Sequence, residues 1–167
     1  VLELINKKSR YFLLFVLISN FAIRLTIYFN TTLFSFRDYK AYLEGIERIK
    51  EYGNIPLIQG NFLYLNSYIG YFFKYVLGNI EYYFIFNCLL GTLTSFIIYL
   101  VCVKLTKNTL VGLLAILFHT VYLEFMAWSS IFYTPIIGMF LLSLTIYLIL
   151  FYIDSSKIVS SIIIALS

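Results

Sequence analysis

Uncharged apolar residues gather into four runs near 20 positions long, at 11–29, 82–103, 110–128 and 131–153, and each predicts a membrane-spanning helix. A bilayer's hydrocarbon core is about 30 Å thick and a helix rises about 1.5 Å per residue, so runs of this length match its depth. A fifth run opens at Ile158 and reaches Ser167 after about 15 Å of helix, half that depth, so the expectation is a truncated fifth span. Lys7, Lys8 and Arg10 precede the first run, which is longer than a signal-peptide core and lacks a small-residue cleavage site. It reads as an anchor that stays.

Residues 31–81 break the pattern. Across 38–52, Tyr39, Tyr42, Leu43, Ile46 and Ile49 recur at helical spacing, with Lys40, Glu44, Glu47, Arg48, Lys50 and Glu51 largely opposite. That predicts an amphipathic helix, opened by an acidic residue and stopped by Gly53-Asn54 and then Pro56. A second stretch, 61–77, is aromatic and aliphatic but interrupted by Asn61, Asn66, Ser67, Gly70 and Lys74. It predicts a segment lying along the membrane interface or leading into the second span. The fold class expected is an all-α polytopic membrane protein, with four full spans, a truncated fifth and an amphipathic helix in the first loop.

Composition agrees. The chain is 62% hydrophobic and 12% charged, against about 45–50% and about 25% in soluble domains, so a soluble domain is excluded. The +4 net charge is scattered among apolar stretches rather than striped, which argues against nucleic acid as a partner. Cys88 and Cys102 would stand roughly 21 Å apart on one helix, too far to bridge. With the N-terminus in the cytoplasm, Lys7, Lys8, Arg10, Lys104, Lys107 and Lys157 all lie inside, while the 128–131 connection outside carries no basic residue. Residues 31–81 then face outward. Tyr11, Tyr28, Tyr82, Tyr83, Trp128, Tyr133 and Tyr152 sit near span ends, where amphipathic rings suit the headgroup layer. The spans read as apolar nearly all round, without the polar stripe that a channel needs.

Arg24, Asp38, His119 and Glu124 are the ionisable residues whose positions invite chemistry. Arg24 sits about 8 Å inside the outer end of the first span, so it either snorkels to the headgroups or serves as an intramembrane cation. Asp38, preceded by Arg37, either caps the loop helix or stands as a carboxylate at the outer face, where lipid would raise its pKa and let it take a proton from a hydroxyl. His119, mid-span, reads as a neutral imidazole hydrogen-bonded to a neighbouring helix. Glu124 faces the interface, pairs with Arg24, or lines an outward cavity beside Asp38. In this topology Arg24, Asp38 and Glu124 all fall on the outer side.

Arg24-Leu25 closing the first span, then Asp38 and Tyr42 as Asp-x-x-x-Tyr with Ala41 between them, then Gly53 and Pro56, resemble the N-terminal portion of the C-type membrane glycosyltransferases. The likeness continues through Phe86-Asn87-Cys88-Leu89-Leu90-Gly91-Thr92-Leu93-Thr94 and 128–152. That superfamily holds protein O-mannosyltransferases, aminoarabinose transferases and related bacterial sugar transferases. The resemblance implies that 1–167 is the N-terminal transmembrane region of such an enzyme in a bacterial cytoplasmic membrane. It also implies a polyprenyl-phosphate sugar donor and an acceptor glycan, lipid or protein. Asp38 then matches the catalytic base, while Arg24, Arg37, Tyr42 and Glu124 make up the substrate-binding set. Two departures stand out: Asp38-Tyr39 replaces the common Asp-Glu, and Ser130, Thr134 and Pro135 occupy the start of the fourth span, where many members are acidic. No Asp-x-Asp pair offers a divalent-metal site, and no cofactor is expected. Two other readings compete: a polysaccharide polymerase or flippase component, and a non-enzymatic membrane protein that docks a partner through Leu43, Ile46 and Ile49.

Overall fold

The computed structural model describes residues 7–30, 37–53, 64–122, 126–127 and 135–154. Within them the chain is helical throughout, with no strand: α1 (Lys7–Asn30), α2 (Arg37–Tyr52), α3 (Tyr64–Tyr71) with a π-helical turn at Phe72–Val76, α4 (Glu81–Thr106), α5 (Thr109–Val121) and α6 (Pro135–Asp154). Two segments, Ser9–Asn30 and Glu81–Thr106, are long and apolar enough to cross a membrane; Thr109–Val121 and Ile136–Phe151 are shorter apolar helices. The fifth apolar run and Trp128, Tyr133, Tyr152 and Glu124 lie outside the described residues or have side chains that do.

Helix α4 is the axis, with α1, α5 and α6 packed around it. Its end carries Lys107 in the left-handed conformation (φ 55°), whose N–H bonds the Val103 carbonyl at 2.9 Å. Asn108 then caps α5, its side-chain oxygen accepting the Leu110 N–H at 2.9 Å. This two-residue reversal makes α4 and α5 antiparallel neighbours. Leu13 and Val16 of α1 join Tyr99, Leu100, Val103, Leu113 and Ile116 in one cluster at this turn end of the bundle. At the opposite, loop end, Tyr28, Tyr42, Ile46, Tyr83, Phe84 and Cys88 form a second cluster that seats α2 over the end of α1 and the start of α4. Ile69 of α3 packs both there and against Leu90, Ile136 and Ile137, so α3 ties the loop end to α6.

The amphipathic reading of the loop holds closely. Helix α2 buries Tyr42, Ile46 and Ile49 and exposes Glu44, Arg48, Lys50 and Glu51. It stops where Gly53 takes φ 73° and its N–H bonds the Ile49 carbonyl, the positive φ a helix terminator needs. Gly78 (φ 80°) and the Asn79 side chain, which accepts the Glu81 N–H at 2.8 Å, turn the chain from the π-turn into α4.

Two expectations need correction. The 110–128 run does not stay helical: α5 spans 13 residues, about 20 Å, and Tyr122 leaves in an extended conformation (φ −76°, ψ 99°). The run ends on β-branched Thr120 and Val121, and the Thr120 hydroxyl bonds back to the Ile116 carbonyl at 2.7 Å, a habit that weakens helix continuation. Tyr28 and Tyr83, assigned to interfacial belts, are core residues instead, and the Tyr28 ring stacks on Phe84 at 5.1 Å between centroids. Tyr11 and Tyr82 are exposed, as a belt position requires.

Gly112 sets the α4–α5 spacing: a Cβ there would come within 2.5 Å of Val103 Cγ2 and 2.8 Å of Tyr99 Cδ2. Small residues at such crossings let backbones approach. Gly112→Val should therefore destabilise the bundle by about 1–3 kcal/mol through overpacking, read as a lower thermal unfolding midpoint in detergent micelles. An unchanged midpoint would mean that α4 and α5 do not meet there.

Candidate functional site

The interior holds a polar network where α1, α4 and α5 meet. Asn20 and Arg24 stand one turn apart on α1 and are both fully enclosed. The Asn20 side-chain oxygen accepts from Arg24 Nε at 2.9 Å and from the Thr92 hydroxyl at 3.1 Å. Its amide nitrogen donates to the Thr120 hydroxyl at 2.9 Å and to Ser95 Oγ at 3.2 Å. Arg can only donate, so the Asn20 oxygen must face Arg24 and its nitrogen must face the hydroxyls. Ser95 Oγ in turn lies 2.7 Å from His119 Nδ1 and 3.0 Å from the Gly91 carbonyl. One hydroxyl proton serves one of these acceptors, so when Ser95 donates to Gly91 the imidazole carries its proton on Nδ1.

Gly91 is what admits the cation. A Cβ at this position would collide with the Arg24 guanidinium, so the flat group lies directly on the α4 backbone. Residues Tyr83, Asn87, Gly91, Ser95 and Tyr99, spaced by four, are all buried on α4. This is a polar stripe, contrary to the reading of helices apolar all round. Hydropathy averaging hides it, because the residues between are mostly Phe, Leu and Ile.

Of the residues singled out in the sequence, Arg24 is enclosed within the bundle with its Nε on Asn20, and does not reach outward as a snorkelling side chain would. His119 bonds a neighbouring helix through Ser95, as expected. Tyr42 is buried in the loop-end cluster with Cys88, which lies one turn before Gly91, so Tyr42 sits close above the Arg24 layer. The backbones of Arg37 and Asp38 open α2, with Asp38 one turn before Tyr42; their side chains lie outside the described residues, as does Glu124. The structure thus gathers Arg24, Tyr42 and His119 along one axis.

Sequence reasoning missed Asn20, Gly91, Thr92 and Ser95, whose signal was i, i+4 polar or small residues inside apolar runs. It also missed the latch between α2 and the π-turn. Glu47 accepts from Lys74 and from the Tyr75 hydroxyl, the latter at 2.6 Å, while Lys50 stands over the Tyr75 ring at 4.6 Å. The hydrogen bonds from Lys74 and Tyr75 hold the Glu47 carboxyl below its ordinary 4.5, and the bond to Glu47 raises Lys74 above its ordinary 10.5. Among the described residues, no three His, Cys, Asp or Glu side chains converge as a metal site would need.

Set against known protein families, curated proteins and solved structures, the chain matches none of them.

Asn20→Leu should destabilise the fold by about 1.5–3 kcal/mol, because it removes the oxygen to which the enclosed Arg24 Nε and the Thr92 hydroxyl donate. Chemical unfolding in micelles measures this, and a wild-type midpoint would break the network apart as described. The Glu47 latch predicts a pH window. A depressed carboxyl stabilises fully above 4.5 and loses its contribution as pH falls through the lowered value; a raised ammonium stabilises fully below 10.5 and loses its contribution above. The protection of α2 amides from hydrogen exchange, corrected for the intrinsic pH dependence of the exchange rate, should therefore stay flat between these limits and fall below the lower one. Glu47→Gln should remove that acid limb at a cost of about 0.2–1 kcal/mol, since the pair is largely exposed.

Proposed function

We propose that the chain is a multi-pass membrane sugar transferase. It takes a sugar from a polyprenyl-phosphate donor at the extracytoplasmic face and delivers it to an acceptor hydroxyl, with Asp38 as general base. The observation that carries a lipid setting is an inversion of ordinary burial. Phe12, Phe15, Ile18, Phe29, Leu114 and Phe118 face outward, while Asn20, Arg24, Thr94, Ser95 and His119 are enclosed. In water that arrangement is costly on both counts; in lipid the outer surface is matched to its solvent.

The chemistry is supported by position and by the resemblance of Arg24-Leu25, Asp38 and Tyr42 to the C-type glycosyltransferases. An attacking hydroxyl must shed a proton as the leaving lipid phosphate gains charge. On this reading Asp38, whose backbone opens α2, receives the proton. Arg24, enclosed beneath the loop end, supplies positive potential through a low-dielectric interior where charge acts at longer range. Arg37, Tyr42 and Glu124 are assigned to binding the donor and acceptor, with Arg24, on the strength of that resemblance. The N-terminus lies in the cytoplasm, following the distribution of Lys and Arg in the short loops.

A partner-docking role through the apolar face of α2 loses its surface, because Ile46 and Ile49 are buried within the chain itself.

Membranes containing the protein, given labelled sugar on polyprenyl phosphate, should show transfer that Asp38→Asn lowers by about 10²–10⁴-fold, the usual worth of a positioned base. Undiminished turnover in that variant would remove Asp38 from the mechanism.

A further inference from the structure

Helix α3 is built inside out. Leu65, Tyr68 and Phe72 on this segment are 51%, 42% and 47% exposed, whereas Asn66 and Ser67 are 1% and 0% exposed. Gly70, on the same inward stripe, is buried too. An outward apolar face suits a lipid-facing helix. The inward polar face is harder to account for. Neither the nitrogen nor the oxygen of the Asn66 amide, nor the Ser67 hydroxyl, has a hydrogen-bond partner among the described residues. Asn20 and Ser95 in the three-helix network use their donors and acceptors fully, whereas Asn87 on α4, equally enclosed, shares the unpaired amide of Asn66. Each orphaned buried polar group carries a desolvation penalty that native interiors rarely tolerate without a partner from outside the chain.

We propose that the inward face of α3, through Asn66 and Ser67, is a binding site for a hydroxylated ligand, a sugar ring. The three orphaned atoms define the ligand's chemistry. The amide nitrogen needs an acceptor and the amide oxygen needs a donor, side by side, and Ser67 supplies either role next to them. A pair of neighbouring hydroxyls answers all three. A bare phosphate would satisfy the donors but set its negative oxygens against the amide oxygen, so an anion fits less well. Helix side chains lean toward the helix N-terminus, so both groups are directed back toward the first turn of α3. Ile69, between them and the π-turn, packs into the Tyr42 cluster, which puts the site beside the region given to transfer above. The choice of a sugar among hydroxylated ligands rests on the transferase reading; the need for a hydroxylated partner does not.

The test is ligand-dependent thermal protection of the full chain in lipid nanodiscs. Four probes are compared: a short polyprenyl-phosphate hexose, free hexose, the same lipid phosphate without sugar, and glycerol. The sugar-bearing lipid should raise the unfolding midpoint more than its sugar-free counterpart. Protection by free hexose as well would assign the site to the acceptor side, and protection by the lipid-linked form alone to the donor side. Asn66→Leu and Ser67→Ala should each weaken that binding about tenfold or more, the worth of one to two lost hydrogen bonds. Without ligand, Asn66→Leu should unfold at the wild-type temperature or higher, because it removes an unmatched amide. A lower ligand-free midpoint for Asn66→Leu, confirmed by Ser67→Ala, would mean that these side chains serve the fold, and would overturn the site. Equal protection by sugar-free lipid phosphate, or no protection by either sugar, would overturn it as well. Binding is read in Asp38→Asn in parallel. Protection retained there without turnover keeps this site whatever becomes of Asp38, and transfer without Asn66-dependent protection sinks this site alone.

Discussion

A single side-chain amide joins the bundle. Asn20 alone among the enclosed polar groups of α1 offers an acceptor and a donor on one small head, and each is used twice: toward Arg24 and Thr92, and toward Ser95 and Thr120. Three helices are keyed to one another through it. Apolar packing on either side is less particular about rotation, since a Leu or Phe face slides with little penalty against another. Hydrogen-bond direction is not forgiving in that way, so the network fixes which faces of α1, α4 and α5 meet. Arg24 depends on the same amide, and Gly91 depends on Arg24, because only a residue without Cβ leaves room for the guanidinium.

This dependence explains the order of layers along the bundle. The turn end, with Leu13, Val16, Leu100 and Val103, is conventional apolar packing. The middle layer is polar and holds the charge. Above it, the rings of Tyr28, Tyr42, Tyr83 and Phe84 close the loop end together with Ile46. Aromatic rings suit this position because they exclude water from the guanidinium layer while their own hydroxyls and edges tolerate polar neighbours. The Glu47 latch then holds α2 against the π-turn at the exposed rim, where it fixes geometry more than it adds stability.

How much of this was legible in the sequence varies by element. The long apolar runs gave α1 and α4 to within four residues at either end, and the alternation of Tyr42, Ile46 and Ile49 with Glu44, Arg48 and Lys50 gave α2 together with its glycine stop. Periodicity serves well where one face is buried and the other is wet. It served poorly for α5, whose end at Val121 carries neither Gly nor Pro and follows instead from β-branching and a back-bonded threonine. It was silent on the network, because an apolar run with one Asn, one Arg or one Ser per turn still averages as apolar. Position in the sequence put Arg24 in the second half of α1 but could not tell a snorkelling side chain from an enclosed one. That distinction is made by Asn20 and Gly91, one near in sequence and one distant.

In the proposed membrane setting, the separation of these partners along the chain governs biogenesis. Asn20 finds Ser95 75 positions later and Thr120 100 positions later. At about 5–20 residues per second of synthesis, α1 waits on the order of 5–20 s in the bilayer before its companions emerge. During that interval Arg24 keeps Asn20 beside it on its own helix but has neither α4 nor α5 to enclose it, and a cation within an apolar helix is tolerated there at a cost of about 2.5–3.5 kcal/mol by insertion scales. The strongly apolar remainder of α1 must anchor it meanwhile, so the nascent helix is a metastable lodger whose permanent place is created by the sequence still on the ribosome.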